Sequence, residues 1–133
     1  MTVMASKKGR RVVAGLAVAI GLIAIGYGGI CFGIGSGVEG AVSKARRSFP
    51  GGPAEALIAV AMSEDFPLKD RNRAIWALGQ LGDARALAPL GSLLTGKPCD
   101  HSAAVCQREL RKALRSCRGG VNLTRWTWKR SAL

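Results

Sequence analysis

The first hydrophobic pattern along the chain is an uninterrupted apolar run. Residues 12–34 contain no formally charged side chain. As a helix, at about 1.5 Å per residue, this run is roughly 35 Å long, which is enough to cross a hydrocarbon core of about 30 Å. An ordinary soluble helix is not apolar on every face over such a length. The pattern therefore predicts one transmembrane helix over residues 12–34.

A cleaved secretory signal is the alternative interpretation of the same run. Four Lys/Arg within residues 1–11 would form its charged start, and small residues follow at positions 35–37. The apolar core of a signal sequence normally has about 7–15 residues, which is shorter than this run. The length favours an uncleaved anchor behind a basic N-terminal tail at residues 1–11.

A change of composition follows the apolar run. Residues 35–53 contain five glycines and two prolines, which predicts a linker. Beyond it, apolar residues recur at helical spacing, and residues 54–118 are predicted to form a helical domain. Residues 119–133 form a basic tail that contains tryptophan.

Four helices are predicted within the domain. They lie near residues 54–63, 68–81, 84–94 and 101–117. The second carries one apolar stripe, formed by Ala74, Ala77, Leu78 and Leu81. After it, Gly82 suits a left-handed helix end, and Asp83 suits the N-cap of the next helix.

The predicted core follows from these stripes. The large side chains expected to be mostly buried are Trp76, Leu78, Leu81, Leu87, Leu90 and Leu114. Leu94 is placed inward on the third helix. The inward stripe of the fourth helix is Cys106, Leu110, Ala113, Leu114 and Cys117.

The middle of the domain resembles a HEAT repeat of the short type also called the PBS-lyase repeat. The matching residues are Ala77, Leu78, Gly79, Leu81, Gly82, Asp83, Arg85, Ala86 and Leu87. The family often has proline where this chain has Ala84, and Trp76 is bulkier than the usual residue. The resemblance covers about residues 69–95. It implies that the first and fourth helices are halves of degenerate neighbouring repeats.

The resemblance completes the predicted fold class. The chain is expected to be all-α, with one N-terminal transmembrane helix followed by a short HEAT-like α-hairpin solenoid of about four helices. A solenoid usually needs three or more repeats to bury a continuous core, and this chain has at most two. We therefore expect the domain to be completed by a disulfide, by a partner or by its own chain ends.

Positive charge is concentrated in the flanks. The net charge is +12, and residues 48–117 are nearly balanced, with nine Lys/Arg against seven Asp/Glu. A nucleic-acid-binding domain carries its basic stripe on the fold itself, whereas membrane proteins carry basic residues beside the anchor. The distribution predicts the lipid bilayer as a partner and no nucleic acid.

The two flanks of the span also predict its orientation. The N-terminal tail has four Lys/Arg close to the span, whereas on the other side Glu39 precedes the basic residues at 44–47. By the positive-inside rule, the chain is expected to be a single-pass protein with a cytoplasmic N-terminus and a periplasmic or extracellular C-terminal domain.

Two further surfaces are candidates for association. Glycine recurs every fourth residue at Gly29, Gly33 and Gly37, a spacing that lets two membrane helices approach closely and predicts a homodimer. A tolerated glycine-rich span is the alternative.

In the tail, aromatic and basic side chains alternate, which is typical of a membrane interface or a partner-binding surface. These tail residues are Arg125, Trp126, Trp128, Lys129 and Arg130. Alternatively, one tryptophan packs under the domain and the charges are solvated.

No set of residues in the sequence predicts catalysis. His101 is the one histidine, and it is expected to be a surface residue near a helix start. With Cys99, Cys106 and Cys117 it could supply zinc ligands, but the spacing matches no common zinc pattern. The sequence therefore predicts a protein that is not an enzyme, with no catalytic residue, no metal and no cofactor.

Cys99 and Cys106 are predicted to form a disulfide. Disulfides persist in exported proteins, and a domain this small gains from one. The Lys97-Pro98 turn can return Cys99 to the start of the fourth helix. A regular helix starting at Asp100 works against the bond, because Cys106 would lie one and a half turns inside it. Three free thiols are the alternative. Cys117 is left unpaired.

These features predict a membrane-tethered, non-catalytic protein–protein interaction module. The resemblance to HEAT repeats implies a scaffold that binds partners along its stacked helices. A chromophore-lyase-like protein, by the PBS-lyase resemblance, and a small structural subunit of a membrane complex are the alternatives.

Overall fold

The computed structural model describes residues 7–125, and these residues form five α-helices. Their bounds are α1 Lys7–Ser48, α2 Pro53–Met62, α3 Leu68–Leu81, α4 Leu87–Ser92 and α5 Gln107–Cys117. A single 3₁₀ turn, Ala84–Ala86, precedes α4. No strand occurs in the described part of the chain, and the predicted all-α class is confirmed.

Helix α1 has 42 residues, and its first part exposes apolar side chains on every face. Between residues 12 and 30, the exposed fraction of the large apolar side chains runs from 40 % for Tyr27 to 74 % for Ile25. Among the described residues, α1 is the one helix that is long and apolar enough to cross a membrane. Residues 12–30 are about 28 Å long as a helix, close to the thickness of a hydrocarbon core.

The second part of α1 belongs to the core of the helical domain. Val38, Val42 and Ala45 are buried and follow one another at helical spacing. This part of α1 packs against α2 and α3. The burial of this stripe compensates for the low helix propensity of the glycines around it.

The sequence-based linker at residues 35–53 is therefore mostly helical. Helix α1 continues to Ser48, and the connection to α2 is confined to residues 49–52. The transition from exposed to packed helix begins at Cys31, which is buried, but Phe32 is still 78 % exposed and Ile34 is the first side chain that packs against the core. The transition begins three residues before the predicted end of the span at residue 34.

Helix α3 lies at the centre of the domain and packs against α1, α2 and α5. The side chains of Ile75 and Leu78 on this helix are completely buried. Of the predicted core residues, Leu78, Leu81, Leu90 and Leu114 are buried, whereas Trp76 and Leu87 are half-buried. The whole predicted stripe of the fourth helix, from Cys106 to Cys117, is also buried.

The end of α3 forms as its sequence predicts. Gly82 has φ 59° and ψ 40°, the left-handed conformation that glycine adopts without steric cost. The Asp83 carboxylate accepts a hydrogen bond from the Arg85 backbone N–H at 2.9 Å, which is the predicted N-cap.

The third and fourth predicted helices are shorter than expected. Helix α4 ends at Ser92, and Leu94 is 39 % exposed, so its inward placement is wrong. Helix α5 begins at Gln107 and not near His101. Asp100 explains the later start, because its carboxylate accepts hydrogen bonds from the Ser102 backbone N–H at 3.0 Å and from the Ser102 hydroxyl at 2.6 Å. Such local side-chain bonds favour a turn over a helix.

We predict that Leu78→Ala lowers the free energy of unfolding by about 2–5 kcal/mol, because it leaves a cavity in the centre of the core. Leu94→Ala removes the same atoms from an exposed position and should change stability by less than about 0.5 kcal/mol. Denaturant unfolding of the full chain in detergent micelles, followed by tryptophan fluorescence, measures both. Equal effects of the two variants would contradict the register of α3.

Candidate functional site

An open groove of about 400 Å³ runs along α3 on the face next to α5. Helix α3 contributes Lys69, Asn72, Arg73 and Trp76, which share one helix face because they are spaced by three or four residues. Glu109 on α5 forms part of the opposite wall. Asp70 of α3 also lines it, and the groove therefore combines cationic, anionic, amide and aromatic groups in one concave surface.

The aromatic floor of the groove depends on a glycine of α1. The Arg73 guanidinium lies 4.6 Å from the centre of the Trp76 ring, a distance typical of a cation–π contact. A Cβ atom at Gly37 would lie 2.9 Å from an Arg73 nitrogen and 3.1 Å from the Trp76 ring. Gly37 thus lets these two side chains lie against α1, whereas no side chain lies within 4 Å of a Cβ built at Gly29 or Gly33.

Around the groove, the carboxylates form ion pairs within the described fold, whereas the cationic side chains do not. Asp70 binds the Lys44 ammonium group at 2.7 Å, and Glu109 binds that of Lys112 at 2.9 Å. Within residues 7–125, neither Lys69 nor Arg73 forms an ion pair. The groove therefore presents two cationic side chains whose charges are not neutralised by the described part of the fold.

A cluster of two thiols and one imidazole lies close to this groove. The Cys99 and Cys106 sulfur atoms are 3.6 Å apart. The His101 side chain joins them, and the possible ligand atoms of the three residues all lie within 4.8 Å of one another. Cys106 is buried, Cys99 is half-buried and His101 is exposed.

The late start of α5 brings the two thiols together. Cys106 is the N-cap of the helix and not an interior residue. A regular helix therefore does not keep it away from Cys99. Its backbone N–H donates to the Asn72 side-chain oxygen at 2.8 Å. Asn72 also lines the groove, and it therefore joins the two features.

The predicted disulfide is not formed in the structure. All four cysteines are free thiols, and 3.6 Å is much longer than a sulfur–sulfur bond of about 2.05 Å. The pairing stays a prediction, although the two residues chosen from the sequence are neighbours. Cys117 is buried apart from them, and its thiol donates to the Leu78 carbonyl oxygen at 3.6 Å.

The thiols differ in their electrostatic surroundings. The Arg108 backbone N–H donates to the Cys99 sulfur at 3.3 Å and lowers the pKa of that thiol. Burial raises the pKa of the Cys117 thiol. The thiolate form is therefore favoured at the start of α5 and disfavoured at its end.

The predicted tail surface is described only at its first residue. Arg125 folds back over Gly82, and its guanidinium donates to the Ser116 carbonyl oxygen at 3.4 Å. The other members of the predicted surface lie outside the described residues: Trp126, Trp128, Lys129 and Arg130. Just before them, the Leu123 carbonyl oxygen accepts a hydrogen bond from the Tyr27 hydroxyl at 2.9 Å. The chain thus returns to the exposed apolar part of α1.

Comparison with protein families identifies the centre of the domain. Residues 70–96 match the PBS lyase HEAT-like repeat. This chain contains a HEAT-like repeat. The match begins in α3, includes α4 and ends in the connection before α5. No curated protein and no solved structure matched the chain.

The motif residues of the HEAT-like repeat have structural roles. Gly79 lies against α5, where a Cβ atom would be 2.9 Å from the Ala113 Cα atom. The Arg85 guanidinium contacts the carboxylates of Asp83 and Glu55, and it thereby links the turn after α3 to the first turn of α2. These ion pairs are exposed, so they contribute little to stability.

Neither the groove nor the cluster of possible metal ligands is predicted by the sequence. Both depend on contacts between distant segments, such as Gly37 with Trp76 and Asn72 with Cys106. The continuation of α1, which brings Gly37 to the groove, did have a signal in the sequence. The helical spacing of Val38, Val42 and Ala45 continues the period of α1 into the predicted linker.

We predict that Gly79→Ala lowers the free energy of unfolding by about 1–3 kcal/mol, because its Cβ atom would push against the backbone of α5. Gly91→Ala is the matched control, since no atom lies within 4 Å of its Cβ position in α4. That variant should be neutral or more stable by up to about 1 kcal/mol. Thermal unfolding of both purified proteins compares them, and equal stability of the two would exclude the close approach.

Proposed function

We propose that the protein is a membrane-tethered, non-catalytic interaction module whose HEAT-like domain faces the extracytoplasmic side. The observation that carries this proposal is the division of α1 into an exposed apolar part and a part built into the domain core. A helix that is apolar on every face is stable in a lipid bilayer, where no water contacts those side chains.

Three features support an uncleaved anchor. The apolar part of α1 has the length of a membrane span. The helix is continuous across residues 35–37, where a signal-type cleavage site would fall. Ile34, which precedes that position, packs against the domain core. Cleavage at residues 35–37 would therefore remove a side chain that covers the domain core.

The orientation rests on the charge distribution. Four Lys/Arg precede the span within residues 1–11, and Glu39 is the first charged residue after it. The positive-inside rule then keeps the N-terminus in the cytoplasm and exports the domain.

The partner is a protein that offers carboxylates and an apolar side chain to the groove along α3. Lys69 and Arg73 supply the cationic groups, and the half-buried Trp76 supplies the apolar surface. Tryptophan and arginine are the residue types that most often dominate the binding energy of protein interfaces. The likeness to HEAT repeats, which bind partners along stacked helices, supports the same interpretation.

The topology has a direct test. We expect the protein to remain in the membrane after alkaline carbonate washing, because residues 12–30 cross the bilayer. Protease added to intact spheroplasts should remove the C-terminal domain, and a cytoplasmic marker protein should survive. A domain that is cleaved only after the spheroplasts are lysed would contradict the orientation.

The groove is tested by site-specific crosslinking in membranes. A photo-crosslinking amino acid at Lys69 should give a crosslinked partner, whereas the same amino acid at the exposed Arg115 should not. Arg73→Glu should reduce the Lys69 crosslink more than about tenfold, because it reverses the charge of the groove. Arg115→Glu, with the same change of charge outside the groove, should leave it unchanged.

Replacing residues 12–30 by an unrelated membrane span separates this function from that of a structural subunit. The Lys69 crosslink should survive the replacement if the domain binds the partner. Loss of that crosslink, with the domain still folded, would assign binding to the span itself.

A further inference from the structure

The cluster of Cys99, His101 and Cys106 has the composition of a metal site. Thiolate sulfur and imidazole nitrogen are the preferred ligands of zinc in proteins. The ligand atoms lie within 4.8 Å of one another although the residues span an eight-residue loop. The arrangement arises because the loop turns at Asp100 and α5 begins only after Cys106.

The sulfur–sulfur distance fits a shared metal ion. With zinc–sulfur bonds of about 2.3 Å and tetrahedral angles, two sulfur ligands lie about 3.8 Å apart. The Cys99 and Cys106 sulfur atoms are 3.6 Å apart, close to that value and well beyond the length of a disulfide bond. The His101 imidazole is exposed, so it can approach an ion without displacing core side chains.

The surroundings hold both sulfur atoms in position. The Cys99 sulfur accepts a hydrogen bond from the Arg108 backbone N–H, and the Cys106 backbone donates to Asn72. The buried Gln107 side chain accepts from the Thr95 backbone N–H at 2.9 Å and donates to the Leu93 carbonyl oxygen at 3.2 Å. Outer contacts of this kind orient metal ligands and contribute to metal affinity.

We propose that Cys99, His101 and Cys106 bind one Zn²⁺ ion, with water at the fourth position. Binding deprotonates the two thiols, and the two thiolates balance the charge of the ion while the imidazole stays neutral. The ion fixes the connection between α4 and α5 to the N-terminus of α5. Through Asn72, which contacts Cys106 and lines the groove, it also supports the wall of the groove.

The zinc site and the predicted disulfide exclude one another. A disulfide joins the same two sulfur atoms and leaves neither as a thiolate ligand. Coordinated zinc keeps both sulfur atoms reduced and apart. The number of free thiols and the zinc content of one preparation therefore distinguish the two states.

The test uses the full chain in detergent micelles with a phosphine reductant. Titration with Zn²⁺ against a competing chelator should give one bound ion per chain. Co²⁺ in place of zinc should produce the absorption of cobalt–thiolate bonds. His101→Gln and Cys106→Ser should each weaken Zn²⁺ binding more than about tenfold, and the cobalt–thiolate absorption should fall in Cys106→Ser.

Cys117→Ser is the matched control, because this cysteine is buried apart from the cluster and should leave Zn²⁺ affinity unchanged. His101→Gln changes an exposed side chain, so loss of binding in that variant cannot be attributed to unfolding. Unchanged Zn²⁺ affinity in His101→Gln, or no stoichiometric binding by the reduced wild-type chain, would overturn the proposal. A Cys99–Cys106 disulfide that persists under the reductant would do the same.

Discussion

The packing of residues 34–48 of α1 against α2 and α3 is the contact on which the rest of the structure depends. A single HEAT-like repeat cannot enclose a continuous core, and the described chain has few helices to add. The stripe of Val38, Val42 and Ala45 supplies the missing layer. The same helix therefore provides both the apolar segment and one wall of the domain.

Helix α3 connects this core to the two candidate sites. Its inward face carries Ile75 and Leu78, and its outer face carries Arg73 and Trp76 over Gly37. From the same helix, Asn72 holds the start of α5, where Cys106 meets Cys99. The groove and the thiol cluster are thus two results of how one central helix contacts its neighbours.

Local signals predicted α3 well and failed where distant contacts decide. The apolar stripe, Gly82 and Asp83 fix the helix and its end within a few residues of sequence. The continuation of α1 was missed because its glycines indicate a linker, and only burial against α2 and α3 compensates for them. The start of α5 was missed partly because Cys106 bonds to Asn72, a residue 34 positions away, and partly because Asp100 forms a local turn with Ser102 where a helix start was expected.

Because α1 is unbroken, the direction in which the domain faces depends on the number of residues in the exposed apolar segment. Since residues 34–48 pack against the core, the exposed apolar segment and the domain must turn together about one axis. Each residue added between positions 12 and 30 would swing the domain by about 100° around that axis. In the proposed membrane-spanning arrangement, the number of residues in that segment would therefore set the direction in which Trp76 faces.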